Sequence, residues 1–124
     1  DGKITLKKLY AVVDAGLIVH PDGALAQLEG SLLWGTSLAL HESNNYQNGQ
    51  VAATNFNTYL PLRMQDVPDM DIEFVQSDEF PMGLGEPGVI GVAPAIGNAV
   101  FNAVGVRLRN LPMKPNELKA GLSA

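Results

Sequence analysis

Apolar positions change their spacing several times along the chain, and each change marks an element. From Ile4 and Leu6 they alternate, then close up into Leu9-Tyr10-Ala11-Val12-Val13, a β-rich run ended by Asp14 and Gly16. That predicts a strand, two-sided at its end. Pro21 and Asp22 then signal a helix start. In the helix Leu25, Leu28, Leu32, Gly35 and Ala39 form one apolar stripe, and Ala26, Leu33 and Leu40 add a second. Only Glu29 is charged between Gly23 and Leu40, so the helix is expected to be buried on nearly all sides. A chain of 124 residues rarely has the bulk to do that alone.

Further on, Asn48-Gly49 signals a hairpin. The segment from Gln50 to Pro68 reads as extended or irregular, with Phe56, Tyr59, Leu60 and Leu62 as core anchors. Met70, Ile72 and Phe74 alternate with Asp71, Glu73 and Val75, as an edge strand would. A Gly-Pro stretch leads to a second helix from about Pro94 to Val104, which Gly105 can end. The sequence "VRLRNLPMKPNEL" reads as a short strand and a tail. The pattern is α+β, and the length suits one domain over 1–124.

Composition narrows the partners. Net charge is −5 with scattered bases, so no basic face invites nucleic acid or an anionic membrane. Six of the 13 acidic residues lie between Asp66 and Glu79 with no base among them, which reads as a solvated edge. No cysteine is present, and His20 and His41 lie far apart without a ligand pattern, so no protein-held metal site is expected. Pro87 to Val106 carries no charge, but its prolines, glycines and asparagines argue against a membrane span. Begun at Pro94, the helix is about 12 residues, roughly 18 Å, too short to cross a bilayer. No targeting signal opens the chain, which starts as if in mid-fold.

One charge stands out. In the whole stretch Phe80 to Val106, Glu86 is the only charged residue, set between Gly85 and Pro87 at the head of an apolar run. A carboxylate in apolar surroundings has a raised pKa, which suits a general base working near neutrality. The alternative is a first-turn acid that complements the helix dipole. Gln27, Ser31 and Trp34 share one stripe of the first helix. A buried Gln27 must find partners for its amide, either backbone or a polar cofactor. His20 and His41 read as turn and helix-end residues, Asp14 as a turn former and Arg63 as an ion-pair partner for the acidic stretch.

Three motifs in order carry a resemblance: "DAGLIVHPDGALAQLEGSLLWGTSLALHE", "NFNTYLPLRMQDVP" and "GLGEPGVIGVAPAIGNAVFNAVGVRLRNLP". Together they resemble the C-terminal end of the molybdenum hydroxylases, the xanthine dehydrogenase and aldehyde oxidase family. The likeness is closest to bacterial isoquinoline oxidoreductase-like and membrane-associated aldehyde dehydrogenase-like large subunits. His20-Pro21 replaces the family's usual Asn-Pro, and an acidic "QSDEFPMGLGE" replaces a shorter basic link. The resemblance implies the C-terminal portion of a molybdopterin-binding domain, with a buried helix after the first strand and another after the Gly-Glu motif. It implies that Glu86 is the active-site base, taking a proton from a metal-bound hydroxide so that water supplies the inserted oxygen. It further implies that Gln27 and Gly85 contact the cofactor, and that an apolar wall keeps the base desolvated. The metal would be held by a pterin, in bacteria the cytosine-dinucleotide form, and not by side chains. Iron–sulfur clusters or haem on partner chains would carry electrons away.

The resemblance also implies a partner, the rest of the molybdenum-binding subunit, without which the 124-residue piece would be inactive. Aldehyde and N-heteroaromatic substrates both remain open, as do cytoplasm and periplasm. A non-catalytic interaction or assembly domain of the same fold is the competing reading.

Overall fold

The structure is a computed structural model that describes residues 1–123. Chain order is β1 (Lys8–Val13), α1 (Pro21–Leu40), β2 (Tyr46–Gln47), β3 (Gln50–Val51), a 3₁₀ turn at Met64–Asp66, β4 (Asp69–Phe74), α2 (Pro87–Val104) and α3 (Pro115–Leu122). The architecture is α+β. Strands β1 and β4 pair in parallel, from Lys8 opposite Asp69 to Val13 opposite Phe74. Period-two alternation sorts their side chains. Leu9, Ala11, Met70 and Ile72 face the core, whereas Lys8, Tyr10, Asp69, Asp71 and Glu73 are exposed. On the open face Lys8 Nζ pairs with Asp71 Oδ2 at 3.1 Å and lies over the Tyr10 ring. The hydrogen bond to Asp71 holds the Lys8 ammonium above its usual pKa.

α1 links β1 towards β4 and packs on α2. The crossing is tight because small residues meet there. A Cβ on Gly88 would lie 2.0 Å from Ser31 Oγ, and one on Gly35 would lie 2.7 Å from Val92 Cγ2 and 2.9 Å from the Val89 carbonyl oxygen. Around this crossing Leu9, Leu32, Ala39, Val92, Ile96 and Val100 form the core, which Leu108, Met113 and Leu118 extend towards α3. The stripe Leu28, Leu32, Gly35 and Ala39 is buried as its spacing predicts, although Leu25 is exposed. Asn48 (φ 51°) and Gly49 (φ 79°) form the expected hairpin turn between β2 and β3. Both central residues have positive φ, as a type I′ turn requires.

Several expectations fail for identifiable reasons. Helix α2 starts at Pro87, not Pro94: a proline at the first helical position lacks only a hydrogen bond that no helix start makes. Pro94 sits inside, where it removes one bond to the exposed Ile90. The helix therefore has 18 residues at mean hydropathy 1.4, long and apolar enough to cross a membrane by length and composition alone. The argument from shortness falls. α1 is not buried on nearly all sides, since Trp34 is 56% exposed and Leu38 also faces out. Val12 is exposed too, so the end of β1 is covered on one side only. Phe56 (74% exposed) and Leu60 anchor nothing; the Leu62 amide instead donates to the buried Ser37 Oγ at 2.8 Å. After Gly105 no strand forms among the described residues, and Pro115 starts a third helix.

Candidate functional site

Glu86 is the residue that precedes the first turn of α2. It is exposed, and its carboxylate makes no capping hydrogen bond. It is therefore not committed to the helix, although the positive end of the helix dipole lies there. The loop in front of it is sterically open: a Cβ on Gly83 or Gly85 would meet nothing within 4 Å, and neither has a positive φ. Nothing in this chain demands glycine at either position, so another group can approach the backbone closely.

Gln27, in the second turn of α1, reaches this loop. Its Nε2 donates to the Gly85 carbonyl oxygen at 2.8 Å, across 58 residues of sequence. Thus Gln27, Gly85 and Glu86 come together, as expected of site residues far apart in the chain. Two expectations about them are corrected. Gln27 is exposed, not buried, although Ser31 one turn further along the same stripe is buried against Gly88 of α2. Glu86 is exposed as well, so this chain supplies no apolar wall around it.

The other candidates take structural places. Ser31 is buried beneath Gly88 and donates to the Leu28 carbonyl at 3.0 Å. Trp34 is exposed, although its neighbour Gly35 packs in the crossing. His20 caps α1, its Nδ1 accepting from the Gly23 amide at 2.8 Å, and His41 closes the same helix. Asp14 Oδ1 accepts from the Gly16 amide in a turn. Arg63 makes no ion pair among the described residues; the acidic stretch is partnered by Lys8 through Asp71.

Sequence reasoning missed two clusters. Tyr59 donates its hydroxyl hydrogen to Glu42, which raises the Tyr59 pKa, with desolvation and the carboxylate's charge adding to it. Arg107 donates to Asn98 Oδ1 at 2.7 Å and stacks on Phe101 at 3.8 Å. A cleft of about 330 Å³ also opens beyond the carboxyl ends of β1 and β4, lined by Gly16, Leu17, Phe74, Ser77 and Asp78 among others. Open parallel sheets receive ligands at such ends. Gln27, Gly85 and Glu86 do not line it, and the free carboxylate with its hydrogen-bonded neighbour makes them the stronger site.

Chemically, the set offers a carboxylate that can accept a proton, an amide oxygen left as acceptor, and backbone open to close approach. Among the described residues no group of three His, Cys, Asp or Glu could hold a metal ion. Fold and site define an α+β segment with an exposed, uncapped carboxylate and a hydrogen-bonded glutamine beside open backbone.

The comparisons make this specific. Residues 1–68 match the family model described as the molybdopterin cofactor-binding domain. The chain is 57% identical over 121 residues, 98% of its length, to a protein named membrane-bound aldehyde dehydrogenase (pyrroloquinoline-quinone) from Gluconacetobacter polyoxogenes. It is 35% identical over 115 residues to isoquinoline 1-oxidoreductase subunit beta from Brevundimonas diminuta, covering 93% of the chain. It spans only 16% and 15% of those two relatives. In fold it superposes on quinoline 2-oxidoreductase from Pseudomonas putida 86 with a TM-score of 0.86 at 23% identity, covering 96% of this chain and 16% of that one. For aldehyde oxidoreductase from Desulfovibrio gigas the TM-score is 0.83 at 27% identity, covering 99% of this chain and 14% of that one. The chain belongs to the molybdopterin cofactor-binding domain family of the molybdenum hydroxylases.

Proposed function

We propose that residues 1–124 form part of one molybdopterin-binding domain of an aldehyde-oxidising molybdenum hydroxylase, with Glu86 as its general base. The observation that supports this reading is the Gln27–Gly85 hydrogen bond, which ties Gln27 to the residue next to an exposed, uncapped carboxylate. Aldehyde is favoured over an N-heteroaromatic ring by the 57% identity to a protein named aldehyde dehydrogenase, against 35% for the isoquinoline relative. That first relative's name carries a quinone, but the family model matched here is of molybdopterin, and the molybdenum–pterin is the cofactor we assign.

When bound, the molybdenum–pterin supplies the two-electron redox chemistry. Gln27 would offer its amide oxygen to the pterin, and Gly85 would let the group lie close to the backbone. Glu86 accepts the proton of the attacking water-derived nucleophile on a carboxylate oxygen. Surface contributed by the rest of the subunit would remove water from around Glu86 and so strengthen it as a base. The cytosine-dinucleotide form of the pterin and an iron–sulfur or haem partner for the electrons complete the proposal. We read α2 as a core helix and not a membrane span, because Gly35 and Gly88 lock it against α1.

In the complete enzyme Glu86→Gln keeps molybdenum content and fold, while turnover falls by about 10²–10⁴-fold, the usual worth of a general base. Normal turnover in that variant removes Glu86 from the role and favours a non-catalytic domain that keeps the fold.

A further inference from the structure

We infer that Gln27 is a positioning residue for Glu86, acting through the peptide that joins Gly85 to Glu86. This rests on the reading of Glu86 as base and adds how the base is held. The Gly85 carbonyl and the Glu86 amide share one rigid peptide plane. On one side of that plane Pro87 begins α2 and fixes its own φ. On the other side Gly83 and Gly85 have open space where a Cβ would sit. Before them the Met82 amide ties the chain to the Ala15 carbonyl at 2.8 Å, and Leu84 between them is half-buried. Glycine also has the widest conformational freedom of any residue. The Glu86 carboxylate contributes no cap that would hold it to the helix. The tether that remains is the 2.8 Å hydrogen bond from Gln27 Nε2 to the Gly85 oxygen. Gln27 stands on a long, regular helix whose neighbouring residue Leu28 is completely buried, so the donor is anchored to the core. Fixing the carbonyl fixes the plane, and with it the direction from which the Glu86 side chain leaves the backbone.

The amide has two ends, and they can be tested separately in the full, cofactor-loaded enzyme. Gln27→Glu keeps an acceptor oxygen of the same reach and loses the donor; Gln27→Lys keeps a donor and loses the acceptor. Positioning predicts that Gln27→Glu lowers kcat roughly 10- to 100-fold, the cost of a misplaced group, with KM and molybdenum content unchanged. In the same variant amide hydrogen exchange over residues 83–90 should quicken, while exchange around Leu28 and Val92 stays slow. Gln27→Lys, which gives up the oxygen offered to the pterin, should nevertheless keep exchange over residues 83–90 slow; fast exchange there would overturn the inference. Normal kcat and exchange in Gln27→Glu would overturn the inference. Loss of molybdenum in that variant with exchange over residues 83–90 still slow would overturn it too, because Gln27 would then act on the cofactor alone. Glu86→Gln tests the base separately: should it turn over normally, the base reading falls, whatever the exchange data say of Gln27.

Discussion

Tyr59 carries a pH dependence that can be worked out from one contact. Its hydroxyl donates to the Glu42 carboxylate, a bond the deprotonated phenol cannot make, so the folded state holds its pKa above the usual value. A group raised on folding contributes stability that is complete below its unfolded pKa, about 10 for tyrosine, and is lost as pH rises through the folded value. In an alkaline titration followed by tyrosinate absorbance, Tyr59 should ionise in a late step, above the usual tyrosine range. Tyr59→Phe should remove that late step; a late step that survives would show the bond is not made. At this scale Glu86 is singled out because its lone charge breaks a long apolar run, and Gln27 because the motif around it resembles a family. Their exposure was not legible. Spacing tells which faces are apolar or polar, but not whether this chain covers them.

Among elements, the α1–α2 crossing is the contact on which the fold depends. A side chain at Gly35 meets Val92 and the Val89 carbonyl, and backbone cannot give way as a flexible side chain can. Gly35→Val should therefore destabilise the chain by about 1–3 kcal/mol, as overpacking does. Gly30 is the control: it lies in the same helix, but a Cβ there meets nothing. Gly30→Ala should stabilise by up to about 1 kcal/mol through helix propensity. Denaturant midpoints that move in the same direction for both would contradict the crossing. Strand alternation and the buried stripe of α1 were readable because their periods are intrinsic to strand and helix. The start of α2 was misread because Pro87 and Pro94 give the same signal. Which of them begins the helix depends on where the first turn packs, and Gly88 packs beneath Ser31.

For the molecule as a whole, unsatisfied apolar surface is the dominant feature. Phe80 is 85% exposed and Met82 69% exposed, and both lie in the loop that leads to Glu86. Tyr10, Val12, Trp34, Ile90 and Phe101 are exposed on other elements. The isolated 124-residue chain should bind a hydrophobic dye or self-associate, since surface of this kind attracts partners. A dye-silent monomer by light scattering would favour an independent domain. The composition hinted at this, because so apolar a first helix exceeds what a chain of this size can bury. It could not say which faces stay open. The sequence also left the cofactor to be inferred from resemblance, and the relative with 57% identity carries a quinone in its name. Metal and quinone analysis of the native enzyme that contains this chain tests the central claim most directly. The account predicts stoichiometric molybdenum with a pterin; a quinone without molybdenum would contradict it.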